Sequence, residues 1–117
     1  MYTFYVYILA NKRHGTLYSG FTNNLIRSVY EHRTGLLSGF TKKHFINRLV
    51  YYEKFDDFEQ AINRGQIIKE MNKNDKINVV EQFNPEWKDL YYDIGGDDDY
   101  EFYDKLITKY RKEFAYN

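Results

Sequence analysis

The chain opens on an apolar and aromatic run with no regular polar alternation. Residues 2–9 read Tyr-Thr-Phe-Tyr-Val-Tyr-Ile-Leu, the pattern of a central strand buried on both faces. Asn11 to Gly15 is polar and ends in glycine, which predicts a turn into a second, shorter strand over 16–21. Asn23 and Asn24 then offer an N-cap for a helix over about 25–34, with Leu25, Val29 and His32 on one stripe and Gly35 as its stop. Leu36 to His44 reads as a basic, glycine-containing loop, and 46–53 as a third strand. Asp56 or Asp57 caps the next helix. Its inward face is predicted at Phe58, Ala61, Ile62, Gly65, Ile68 and Met71. A short helix over about 75–82 follows and breaks at Asn84-Pro85, after which Trp87 and Leu90 are expected to fold back on the core. Phe102, Leu106, Tyr110 and Phe114 mark an amphipathic C-terminal helix.

This order predicts an α+β fold, a small three-stranded antiparallel sheet flanked by helices, with an extra C-terminal helix. The expected division is a domain over 1–92, an acidic Gly/Asp linker over 93–100, and the helix over 101–117. The run Asp97 to Asp99 is expected to be solvated rather than a metal site, because adjacent carboxylates on a loop lack the further ligands a site needs.

Composition sharpens this in two ways. Thirteen Tyr and nine Phe in 117 residues make the core largely aromatic, and tyrosine hydroxyls need partners or a cleft when buried. The chain has no cysteine, which removes disulfide and thiolate chemistry and fits a reducing, cytoplasmic setting. The N-terminus has no signal-peptide layout, and no apolar run reaches the roughly 20 residues a membrane span requires, so no membrane partner is expected.

Charge is unevenly placed although the net is zero. Residues 1–54 hold eight Lys and Arg against Glu31 and Glu53, whereas 55–117 hold nine basic and fifteen acidic residues. All three histidines, 14, 32 and 44, lie in the basic half. Either the first half presents a surface for a polyanion, or the halves neutralise each other across the fold.

Two tyrosine triplets frame the chemistry: Tyr5-Val6-Tyr7 on the first strand and Tyr18-Ser19-Gly20 on the second. Together with Gly15 to Thr22, Leu25 to His32, Gly39 to His44, Arg48 to Asp57 and Asn84 to Tyr91, they make residues 4–91 resemble the GIY-YIG nuclease superfamily. The resemblance is to its small single-domain bacterial group, related to the N-terminal nuclease domain of the excision-repair protein UvrC. It implies catalytic roles for Tyr7, Tyr18 and His32 around the water and phosphate, and ordering roles for Gly20 and Asn84. It also implies Mg or another divalent cation as cofactor and DNA as partner, branched or damaged forms included. Arg27, Arg33, Lys42, Lys43 and His44 are the candidate phosphate contacts.

The resemblance also marks two departures. Where the family carries its arginine this chain has Ser28, with Arg27 one residue and about 100° away on the helix. Where the family carries its metal-binding glutamate this chain has Gly65, and Glu70 is about 140° off that face. Nothing in the sequence places Glu31 or Glu53 at the metal. The expectation is a GIY-YIG-like domain with a nucleic-acid-facing cleft that binds DNA with weak or no phosphodiester hydrolysis. The alternatives are an active metal-dependent endonuclease using another carboxylate, and a non-catalytic protein-interaction module.

Overall fold

The computed structural model describes residues 2–36 and 39–114. Among these, three strands form one antiparallel sheet in the order β2-β1-β3, with β1 at Phe4–Ala10, β2 at Leu17–Thr22 and β3 at Arg48–Phe55. The first strand is central, as its unbroken apolar run predicts, and Val6 to Ala10 are buried. The β1–β2 turn is closed by Asn11, whose side-chain oxygen accepts from the Thr16 amide at 2.9 Å. His14 adopts a positive φ of 56° there.

Helix α1 (Leu25–Arg33) covers one face of the sheet; α3 (Phe58–Glu70) and α4 (Lys73–Phe83) cover the other. Each has the polar cap its sequence offers. Asn24, Asp57 and Asn72 accept from the backbone amides of Arg27, Gln60 and Asp75. The α1 face packs Tyr7 and Leu9 against Leu25, Val29, Tyr30 and Tyr91. The opposite face packs Val6, Ile8 and Ala10 against Ile68, Val80 and Trp87. Adjacent residues of β1 therefore feed two separate cores.

The β3 edge is covered by the segment after α4. Leu90 donates its amide to Leu49 O at 2.8 Å, and Asn84 Nδ2 donates to Val50 O at 3.1 Å and to Lys88 O at 2.8 Å. Trp87 sits in one core and Tyr91 in the other, so the segment wraps the edge and blocks strand addition there.

Two expectations need correction. The basic stretch expected as a loop over 36–44 contains a short helix, α2 (Phe40–Lys43); positions 37 and 38 lie outside the described residues. Phe58 and Ile62, expected to face inward, are exposed, while Ala61 and Ile68 are buried. The reason is that α3 overhangs the β2 edge. The Phe58 ring packs edge-on against Phe4 and Phe21 instead of entering the core. Asp97 to Asp99 are exposed, and the stretch is tied back by its backbone: Tyr91 Oη donates to Asp97 O at 2.6 Å and Gly96 N to Tyr91 O at 2.9 Å.

Helix α5 (Tyr100–Phe114) lies on α1, where the Tyr103 ring stacks on Tyr30 with centroids 4.2 Å apart. Tyr103 Oη donates to Glu31 at 2.8 Å. The stripe positions Tyr110 and Phe114 fall where side chains are not described, and 115–117 lie outside the described residues. Among the described residues no helix is long and apolar enough to cross a membrane.

Candidate functional site

The antiparallel register sets Tyr7 opposite Gly20, and Leu9 opposite Tyr18. Side chains directly opposite share a face, so the Tyr7 ring needs room above position 20. Gly20 supplies it: a β-carbon there would stand 2.4 Å from the Tyr7 hydroxyl and from the ring carbon bearing it. The glycine of the second triplet is thus fixed by the tyrosine of the first.

His32, the last residue but one of α1, closes on both tyrosines. Its Nε2 lies 3.3 Å from Tyr7 Oη, and its ring centroid is 5.0 Å from that of Tyr18. The other ring nitrogen, Nδ1, is 2.8 Å from Thr41 Oγ1 on α2. A neutral imidazole protonated at Nδ1 satisfies both contacts, accepting from Tyr7 and donating to Thr41. Burial lowers the His32 pKa below its ordinary 6.5, against a smaller opposing pull from Glu31. Burial also raises the Tyr7 pKa, with repulsion from Tyr18 and Glu31 adding to it and Arg27 opposing it. At neutral pH the pair is therefore an un-ionised phenol beside an uncharged imidazole.

Ser28 is buried and turned to the end of β2, where its hydroxyl donates to Thr22 Oγ1 at 2.6 Å. Arg27 pairs with Glu31, four residues on, at 3.1 Å. Glu53 accepts from Tyr51 Oη at 2.7 Å and from Arg64 Nε at 3.0 Å on the α3 side of the sheet. Glu31 is occupied by Arg27 and Tyr103.

Gly65 lies on the α3 side of the sheet, opposite to Tyr7 and His32. A groove of about 280 Å³ lies at the β2 edge between β2 and α3, lined by Tyr18, Gly20, Phe21, Ile62, Gly65 and Lys69. Gly65 brings no oxygen donor to it. A β-carbon at 65 would meet only Val6, at an ordinary contact of 3.6 Å. Among the described residues, no group of three or more His, Cys, Asp or Glu side chains is arranged to hold a metal ion.

The candidate cations separate into two sets. Arg33 is committed to the fold: its guanidinium donates to Asp89 at 2.7 Å, to Asp98 at 3.1 Å and to Asn47 O at 3.1 Å, and it lies over the rings of Tyr91 and Tyr92. The two acids come from the second half of the chain, so part of the charge asymmetry is neutralised inside the molecule. Lys42 and Lys43 close α2 beside Thr41 and His44, and no ion pair engages either of them among the described residues. Asn84 sits at the β3 edge, away from the tyrosines, and serves the backbone there. Sequence reasoning missed two residues. Lys69 was legible in principle, one helical turn beyond Gly65 on the same side of α3. Thr41 was not, because only the tertiary fold brings it to His32.

Residues 3–78 match the family profile described as the GIY-YIG catalytic domain. The chain belongs to the GIY-YIG family. A UPF0213 protein from Clostridium perfringens is 36% identical over 76 residues, spanning 65% of this chain and 81% of the relative. Another UPF0213 protein, from Syntrophus aciditrophicus, is 35% identical over 83 residues, spanning 70% of this chain and 93% of the relative. The solution NMR structure of a UPF0213 protein from Bacillus halodurans aligns with a TM-score of 0.49 at 25% identity, covering 75% of this chain and 93% of that one. This GIY-YIG chain thus carries a nuclease-like domain of a small single-domain family, whose nuclease members are generally metal-dependent and act on DNA.

Proposed function

We propose that this GIY-YIG domain binds DNA without sequence preference and hydrolyses phosphodiester bonds weakly or not at all. The observation that carries the reading is Gly65, a position in the groove beside Tyr18 and Gly20 with space for a side chain and no oxygen to offer. A hard divalent cation wants carboxylate or carbonyl oxygens at short range. The two carboxylates weighed from the sequence are held elsewhere, Glu31 by Arg27 and Tyr103, and Glu53 by Tyr51 and Arg64. This donor set does not fit the cation the family uses. Ser28 adds a second deficit, a short neutral hydroxyl bonded inward where a cation would meet developing phosphate charge.

In this reading Tyr7, Tyr18 and His32 line the phosphate cleft without turning over. An un-ionised Tyr7 is a poor acceptor for a proton from water. Its one hydroxyl proton goes to His32, so Tyr7 positions the histidine at the cleft and does not itself donate to a phosphate. Lys42, Lys43 and Lys69, which no ion pair engages among the described residues, supply the positive charge, His44 extends it, Arg27 contributes at the rim, and Arg33 anchors α1 to the acidic segment instead of contacting DNA. A second reading rests on Glu31, the carboxylate whose field reaches both Tyr7 and His32. Released from Tyr103, it would be the alternative ligand of an active enzyme.

The test is plasmid and branched-DNA cleavage with Mg²⁺ or Mn²⁺, beside binding at two salt concentrations. Wild-type protein should bind DNA in low salt, lose affinity steeply as salt rises, and leave the plasmid intact. Gly65→Glu combined with Ser28→Arg should gain metal-dependent nicking, since a Lewis acid is worth several kcal/mol of barrier. Robust cutting by wild type that is abolished in Glu31→Gln would replace this reading with the second. No binding at low salt would remove DNA from the account.

A further inference from the structure

Phe45 is the least protected large apolar residue described, at 77% exposure, and its backbone has a φ of +56°. That left-handed conformation disfavours residues bearing a β-carbon and ordinarily falls to glycine or asparagine where a helix closes. The chain turns there to close α2, with Ile46 N donating to Thr41 O at 2.9 Å, and the turn buries Ile46 fully while throwing the neighbouring ring outward. Phe45 belongs to neither core cluster and to no aromatic pair among the described residues. Packing among the described residues therefore does not account for an aromatic ring at this position.

The surroundings do suggest an occupant. Phe45 lines a pocket of about 200 Å³ with Lys42, Thr41 and His32, so the same hollow that exposes the ring reaches the histidine bonded to Tyr7. Lys43 and His44 immediately precede it in the chain. An exposed aromatic face beside unpaired ammonium groups matches a nucleotide, which offers a flat base and a negative phosphate together. In an intact duplex both faces of a base are already stacked, so only an unpaired base can take the ring.

We propose that Phe45 is a stacking platform for an unpaired DNA base, with Lys42 and Lys43 on the adjoining phosphates. The domain therefore prefers single-stranded DNA over intact duplex. This rests on the DNA-binding reading above and adds the substrate class to it.

The experiment compares full-length wild type, Phe45→Gly, Phe45→Trp and Lys42→Ala by fluorescence anisotropy. The probes are a labelled single-stranded oligonucleotide and the duplex of the same length. A 2-aminopurine base in the single strand reports stacking directly. Phe45→Gly should weaken single-strand binding about tenfold, leave duplex binding unchanged and remove the 2-aminopurine quench. Its melting temperature should not fall, because glycine suits the left-handed turn, so misfolding would not explain the loss. Phe45→Trp should retain single-strand affinity. Lys42→Ala should weaken both forms alike and reduce the salt dependence by about one charge. If wild type binds DNA and Phe45→Gly keeps its single-strand affinity, the stacking proposal is overturned and the DNA-binding reading stands. If wild type binds neither form, both fall.

Discussion

The two sides of the β2 edge each place a glycine at the groove, for opposite reasons. On the α1 side, Gly20 is a steric necessity, since the buried Tyr7 ring occupies the space a β-carbon would need. Around it the polar atoms are matched: Tyr7 to His32, His32 to Thr41, and Ser28 to Thr22. On the α3 side, Gly65 sits inside a regular helix with no steric demand on it, facing the groove, where a β-carbon would meet only Val6. One half of the cleft is organised as tightly as a core. The other half is only surface, and packing does not require the residue found there. The fold can therefore survive without a side chain at 65, and it should tolerate one placed there.

The sharpest way to break this contrast is the same substitution on each side. Gly20→Ala should destabilise the protein by about 1–3 kcal/mol, because the added carbon overpacks a buried ring. A urea midpoint equal to wild type would mean the Tyr7 ring swings aside freely, and the ordered tyrosine–histidine arrangement would be lost with it. Tyr7→Phe keeps the ring and removes only the hydroxyl from His32, so denaturation should register a smaller loss of about 1 kcal/mol. Gly65→Ala should go the other way, stabilising the protein by about 0.5–1 kcal/mol as a flexible residue leaves a helix interior. Destabilisation there would show that the groove is closed to a side chain and that restoring a glutamate is hopeless.

The smallest effect is one of pH. The folded pKa of His32 lies below 6.5, so between that value and 6.5 the unfolded chain binds more protons than the folded one. Stability is therefore complete above 6.5, declines as pH falls through the window, and levels off below the folded pKa. Melting temperatures from about pH 8 to pH 5 should show this decline in wild type and a flatter profile in His32→Gln. Parallel profiles would mean that His32 is not held neutral by burial.

Much of the fold was readable from local pattern. The buried run of β1, the polar caps Asn24 and Asp57 and the stripe Leu25–Val29–His32 are written in near neighbours, and each is formed as its spacing implies. The short α2 was obscured because four residues after a glycine give too little periodicity to distinguish a helical turn from a loop. Phe58 and Ile62 misled because helical spacing identifies a face but not how far the sheet beneath it extends.

By itself, the sequence determined the order and type of the elements, the pairing of two tyrosine triplets across a turn, and the absence of an oxygen donor at position 65. Only the tertiary structure decided that Tyr7 stands over Gly20, that Thr41 supports His32, and that Arg33 is neutralised by Asp89 and Asp98. The division follows the range of the forces. Helix capping, turn geometry and hydrophobic period act between residues a few positions apart and can be read in line. Burial, ion pairing and cross-strand contact depend on residues brought together from 9 to 65 positions away, and only the folded chain selects them.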